Sequence, residues 1–148
     1  MGDPEIVQDL SQEDAERLAA LLPQVVSTVD GDPKTNLKNV VEGDSSDILV
    51  IRADTGEIAA SLVINLLQKA AGQEGRLNDV VVDEAFRGQG LGRLLCEAAL
   101  EEMRAAGAYK AEWSSRPQRI AANALYQSMV GPPRPTNVYT TYLKQSGA

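Results

Sequence analysis

Apolar and polar positions along this chain switch between two periods, and the switches mark the elements. Residues 5–10 (EIVQDL) suit a short first strand. Leu18, Leu21, Leu22 and Val25 then recur at helical spacing behind Ser11-Gln12-Glu13-Asp14. There a serine can cap free amides, and acidic residues face the positive end of the helix dipole. Pro23 bends or shortens that helix. Asp30-Gly31-Asp32-Pro33 is loop chemistry, and residues 36–41 fit a second short helix with Gly43 behind it.

Residues 47–53 (DILVIRA) and 58–67 are strand-like runs around Asp54-Thr55-Gly56-Glu57, which predicts an antiparallel hairpin. Residues 68–75 read as a mobile loop. The β-branched run 77–82 predicts a largely buried strand. After a glycine segment, Leu91, Leu94, Leu95, Ala98 and Ala99 form the apolar stripe of a long helix that Gly107 is placed to end. Residues 109–114 predict a strand. Pro117 suits the first turn of a helix over 118–129. Gly131-Pro132-Pro133-Arg134-Pro135 breaks that helix, and residues 137–143 (NVYTTYL) predict a final strand. The order β-α-α-β-β-β-α-β-α-β describes an α/β (α+β) chain, with a mixed, mostly antiparallel sheet flanked by helices. Without repeats or a linker, one domain over 1–148 is expected.

Composition narrows the chemistry. The chain has 148 residues and a net charge of 14 − 21 = −7. An acidic surface argues against general nucleic-acid binding, which needs a basic footprint, and is compatible with a cationic amine. There is no histidine. That removes Ser-His and Cys-His catalysis and any histidine metal site, so no metal is expected. A general base must then be a carboxylate, a tyrosine, a lysine or a relayed water. Cys96, the one cysteine, falls inside a helical pattern and reads as a small core residue. The run 58–67 is interrupted by Ser61 and Asn65 and is too short to span a bilayer, so no membrane partner is expected. The polar, acidic first ten residues do not resemble a signal peptide, and a cytoplasmic location is the expectation.

The most specific local signal is Arg87-Gly88-Gln89-Gly90-Leu91-Gly92, between a valine-rich strand and an amphipathic helix. Glycine lets the backbone take positive φ and approach a ligand without a Cβ in the way. Successive amides can converge on an anion, and the helix adds free N–H groups and its positive dipole end. Arg87 and Arg93 add positive charge to an acidic chain. A diphosphate is the ligand that such a construction suits. A Walker A loop needs Gly-Lys-Ser/Thr, and here Arg93 follows Gly92. A dinucleotide fingerprint would need glycine at 93, and the hairpin ahead of it does not fit a parallel βαβ unit. A plain glycine turn into a helix is the alternative.

The stretch Val80-Val81-Val82-Asp83-Glu84-Ala85-Phe86-Arg87-Gly88-Gln89-Gly90-Leu91-Gly92 resembles the coenzyme A-binding segment of the GNAT N-acetyltransferase superfamily, whose pattern is Arg/Gln-x-x-Gly-x-Gly/Ala after a strand. Arg87, Gly90 and Gly92 fill it. Arg119-Ile120-Ala121-Ala122-Asn123-Ala124-Leu125-Tyr126 resembles the family's later helix, and Thr136-Asn137-Val138-Tyr139 is similar to the last strand of many bacterial members. The chain departs from the pattern after the tyrosine helix, where Gly-Phe is usual and Met129-Val130-Gly131-Pro132 stands here. That leaves the path of residues 129–136 open, and with it one wall of the substrate pocket.

The resemblance implies the GNAT fold, acetyl-CoA as co-substrate, and direct attack of a primary amine on its thioester. The acceptor class is a small molecule, an amino acid or a peptide. Backbone groups of Val80, Val81 and Val82 would align pantetheine and supply an oxyanion donor. Arg87, Gly88, Gln89, Gly90, Leu91, Gly92 and Arg93 would hold the pyrophosphate. Tyr126 matches the family's general acid, a phenol of pKa about 10 that would protonate the departing thiolate. Asn123, three residues earlier on the same helix face, would bind the coenzyme. Asn78-Asp79-Val80 resembles the Glu-Asp-Val of glucosamine-phosphate acetyltransferases, which makes Asp79 a candidate base; Glu112 and a water chain are the rivals. Strand alternation puts Asn78 and Asp79 on opposite faces. A non-catalytic acetyl-CoA-binding or sensor domain is the alternative function. Dimers are common in the family, so a homodimer is a further expectation.

Overall fold

The computed structural model describes residues 1–144 and divides into two compact units, Met1–Ser114 and a second that begins at Ser115. The first unit holds a five-stranded sheet in the order β1 (Glu5–Ile6), β2 (Ser46–Arg52), β3 (Ile58–Lys69), β4 (Gly72–Val82), β5 (Lys110–Glu112). The first four strands are antiparallel neighbours, and β5 joins β4 in parallel. Helices α1 (Gln12–Leu21), α2 (Pro33–Glu42) and α3 (Leu91–Ala105) complete this unit. The second unit contains α4 (Ile120–Val130). The mixed, mostly antiparallel sheet with flanking helices agrees with the expected fold class.

The apolar runs in β2 and β3 are continuous because the sheet is covered on both faces. Ile48, Val50, Ile58, Val63 and Val81 share a core with Leu18 and Leu21 of α1 and Leu37 of α2. Leu49 and Ile51 alternate with them and are equally buried. Alternation turns these to the other face, where α3 lies against β2, β3 and β4 through Leu95, Ala99 and Met103. Cys96 is fully buried there, and burial pushes its thiol up to about 11, which suits a core residue.

Local chemistry accounts for the helix ends. Ser11 accepts from Asp14 N, as its position suggests. Leu22–Gln24 tightens into a 3-10 turn at Pro23. The second helix begins at Pro33, earlier than the apolar spacing predicts, because Asp32 caps it and proline suits a first turn. Arg52 grips both oxygens of Asp14, at 2.9 and 2.7 Å, and so ties α1 to β2. That hydrogen-bonded guanidinium holds the Asp14 carboxyl below the usual range.

Three expectations are corrected. Residues 68–75 are not a loop: β3 runs to Lys69, β4 starts at Gly72, and the two pair from Lys69↔Gly72 inward. The reason is Glu74, whose side chain is wholly buried (0% exposed) yet ionic. Lys69 Nζ approaches Glu74 Oε2 to 3.0 Å, Arg76 donates to Oε1 at 2.9 Å, and Lys110 Nζ lies 3.8 Å away. Polar residues thus pair here with one another, in a pattern that hydrophobic periodicity cannot reveal. The expected strand over 137–143 is absent: the tail forms no ladder, and Val138, Tyr139, Tyr142 and Leu143 are exposed. Strand-favouring side chains form no strand without a partner edge. Finally, α4 starts at Ile120, so Pro117 precedes the helix instead of opening it.

Gly75 shows how closely α3 rides on the sheet. A Cβ placed there would lie 2.4 Å from Met103 Sδ and 2.8 Å from its Cγ. Gly75→Ala should therefore destabilise the fold by about 1–3 kcal/mol through overpacking. In a denaturant titration, the double variant with Met103→Ala should cost less than the sum of the two single changes. Strict additivity would mean that the contact is not what forbids the side chain.

Candidate functional site

The site grows out of an irregularity in β4. Ser61 pairs with Val81 and Val63 with Asn78, so Asp79 and Val80 together face the single residue Leu62. This is a β-bulge, which interrupts the ladder and redirects side chains. Asp79 takes φ 53°, a left-handed conformation that aspartate and asparagine reach more readily than other side-chain-bearing residues. The expected alternation of Asn78 and Asp79 therefore fails. Asn78, the register partner of Val63, donates to Asn65 Oδ1 at 2.7 Å on one face, and Asp79 turns into a pocket that Val63 also lines. Beyond the bulge, Val81 is buried in the core, with Val80 and Val82 half-buried beside it.

Asp79 opens on a pocket of about 230 Å³ walled by Leu22, Val26, Val29, Leu37, Val40 and Val63. The residue stays accessible to solvent. Even so, the surrounding apolar walls strip water from its carboxyl and raise its pKa above the ordinary 3.8.

From Val82 the chain passes through Asp83 and a 3-10 turn, Glu84–Phe86, to Arg87. A polar network that sequence reasoning missed fixes this passage. Asp83 N extends the ladder by donating to Ala59 O at 2.9 Å. Its carboxylate accepts from Gln24 Nε2 at 3.0 Å and Arg17 Nη2 at 2.9 Å, and these bonds hold it below the usual range. Arg87 donates through Nε to Val82 O at 3.1 Å and through Nη2 to Gln24 Oε1 at 3.3 Å. Arg17 and Gln24 belong to α1 and the turn after it, far away in sequence, so no local motif could have pointed to them.

Gly88 and Gly90 take φ 82° and 76°, and a Cβ at either would meet nothing within 4 Å. Open space therefore lies before both. Gly90 is the N-cap of α3 with no side-chain cap, and the first helical bond runs from Leu94 N to Gly90 O. The amides of Leu91 and Gly92 precede that bond, at the positive end of a 15-residue helix. Leu91 packs its side chain inward, Gln89 is exposed, and Arg93 reaches Glu97 at 3.5 Å. The structure thus brings Asp79, the valines and the whole of Arg87–Arg93 onto one continuous strand-turn-helix passage.

The other candidates belong to other elements. Glu112 sits on β5 in register with Arg76, 3.6 Å from Lys110 Nζ, as part of the ionic ladder around Glu74. In the second unit, Tyr126 is the buried residue of α4. Asn123 Nδ2 donates to Arg116 O at 2.8 Å and Arg119 O at 2.9 Å, which ties the turn before α4 to the helix. Its amide oxygen is the group left to consider for a ligand.

Comparison with known proteins gives the family and the fold. The model of the Acetyltransferase (GNAT) family matches residues 12–131. A glucosamine 6-phosphate N-acetyltransferase of Arabidopsis thaliana is 38% identical over 72 residues, 46% of this chain and 48% of that protein. The match thus spans about half the length of that curated relative. Three solved structures share the fold. An acetyltransferase of Trypanosoma brucei has a TM-score of 0.75 at 21% identity, covering 95% of this chain and 99% of that one. The glucosamine-6-phosphate N-acetyltransferase of Arabidopsis thaliana has a TM-score of 0.72 at 24% identity, with coverages of 95% and 99%. An aminoglycoside acetyltransferase from an uncultured soil metagenomic sample has a TM-score of 0.79 at 17% identity, with coverages of 97% and 96%. Because the family model spans most of its length, residues 12–131, the chain belongs to the GNAT acetyltransferase family.

Proposed function

We propose that this chain is an acetyl-CoA-dependent N-acetyltransferase that transfers the acetyl group to a primary amine by direct attack. The observation that carries this reading is the pair of left-handed glycines opening onto clear space at the uncapped start of α3. The fit to a diphosphate is chemical: converging amides, a helix dipole, Arg87 and Arg93 close by, and no Cβ to keep an anion away. Acetyl-CoA supplies the activated acyl group. Gly88, Gln89, Gly90, Leu91, Gly92 and Arg93 would hold its phosphates, with Arg87 keeping the turn in shape. Among the described residues β5 pairs with β4 at Glu74, Gly75 and Arg76 alone, which leaves the outer edge of β4 at Val80 to Val82 to align the pantetheine arm and polarise the carbonyl.

The remaining tasks are proton transfers. An alkyl amine has a pKa of about 10 and must lose a proton before it attacks. Asp79 is the base in this reading, because it lines a pocket beside the bulge and its raised pKa brings it nearer to the task. Tyr126 is the acid for the departing thiolate, a role that rests on the family resemblance of α4. The direct test is an acetyl-transfer assay over a panel of amines that reads free thiol. Coenzyme binding with no thiol release from any amine would instead make the chain a coenzyme-binding domain.

Three outcomes are expected. Gly90→Val forces a β-branched residue to positive φ and fills the approach to the helix end. It should raise the acetyl-CoA Kd at least about tenfold while costing ~1–3 kcal/mol of stability. An unchanged Kd by calorimetry would remove the phosphate-binding role. Tyr126→Phe should leave that Kd within about twofold and lower kcat roughly 10²-fold; equal turnover would end the acid assignment. Asp79 acts in its ionised form, so kcat/KM should fall as pH drops through its raised pKa, above the ordinary 3.8. Asp79→Asn should abolish that acid limb and lower the plateau roughly 10²-fold, and a limb that survives the change would assign the base elsewhere.

A further inference from the structure

We propose that the acceptor is a small primary amine bearing a hydrocarbon group, with that group seated in the pocket beside Asp79 and its ammonium end at the Asp79 carboxylate. A phosphorylated sugar amine is the acceptor that this pocket excludes. The proposal rests on the acetyltransferase reading and deepens it.

The walls set the class. Six aliphatic side chains (Leu22, Val26, Val29, Leu37, Val40 and Val63) line the cavity. Its ionisable groups are two carboxylates, Asp79 and Asp30, and its other polar side chains are the neutral Thr28 and Asn36. No lysine or arginine lines it, and the chain has no histidine. A phosphate dianion placed there would meet the Asp79 carboxylate with no lysine or arginine among the lining residues, whereas an ammonium would meet charge of the opposite sign.

The N-terminus of α2 borders the pocket through Pro33 and Asn36, and helix starts attract phosphate. This one is taken. Pro33 has no N–H, and the Asp32 carboxylate accepts from Lys34 N at 3.2 Å and from Thr35 Oγ1 at 3.0 Å. An acid already occupies the place where an anion would bind.

Size sets the rest. A cavity of about 230 Å³ is below the ~300–1,000 Å³ of most drug-sized sites, so a few carbons or one ring fill it. The bulge adds direction, since it turns Asp79 into the pocket from the strand that leads to the glycine turn.

The test uses the full chain with acetyl-CoA and reads thiol release for propylamine, butylamine, pentylamine and glucosamine 6-phosphate. Burial of each methylene should raise kcat/KM about fourfold until the pocket is full. Glucosamine 6-phosphate should fall at least about tenfold below pentylamine. Equal or better turnover of the phosphosugar, or no dependence on chain length, overturns the proposal. If acetyl-CoA binds but no amine is acetylated, the transferase reading fails by itself. Pentylammonium titrated against the Val29 and Leu37 methyl resonances then decides the pocket: saturable shifts support it and their absence overturns it. Val29 is 42% exposed, so Val29→Lys should fold normally while placing a cation on the wall. It should raise the KM for pentylamine about tenfold with kcat and acetyl-CoA Kd little changed; an unchanged KM overturns the proposal.

Discussion

Everything at the centre of this molecule depends on one extra residue in β4. The strand must bury Val81 in the core it shares with α1 and α2, and Leu77 on the face that packs against α3. A regular strand meeting both needs would leave no residue to spare. The bulge opposite Leu62 supplies one, and Asp79 accepts the left-handed backbone that this requires. Its carboxylate then faces a pocket instead of the neighbouring strand. Strain, pocket and altered ladder are one event, so they cannot be varied independently.

The second constraint is electrostatic. The glycine turn has little side chain of its own to hold it, and flexible glycines would leave it loosely ordered. Order comes from Asp83, where the end of β4, the turn after α1 and α1 itself meet through Gln24 and Arg17. Arg87 closes the same network from the other side of the 3-10 turn. Arg87 is thereby held beside the glycine turn that leads to α3.

Much of this was legible in the residues. The glycine segment, the strand before it and the helix after it stand where the pattern puts them, and Ser11 and Pro23 act as their chemistry suggests. Three things were hidden, each for a physical reason. The bulge depends on matching two strands, and no single strand's pattern carries it. The Asp83 network joins residues 17, 24 and 83, which only the tertiary fold brings together. The hairpin around Glu74 reads as a loop because polar residues fill it, and mutual charge pairing leaves no hydrophobic period. The tail erred in the opposite direction: NVYTTYL has strand composition but pairs with nothing among the described residues.

Glu74 carries a consequence for the edge of the sheet. Strand β5 has three register pairs, and two of them, Glu74↔Lys110 and Arg76↔Glu112, place opposite charges side by side. So short a parallel ladder has little grip of its own. A slip of one residue would turn Lys110 and Glu112 to the far face and strip a cation from a carboxylate that water cannot reach. The buried acid thus works as a register key. It admits one alignment of the last strand and penalises its neighbours, a task that longer strands perform by length.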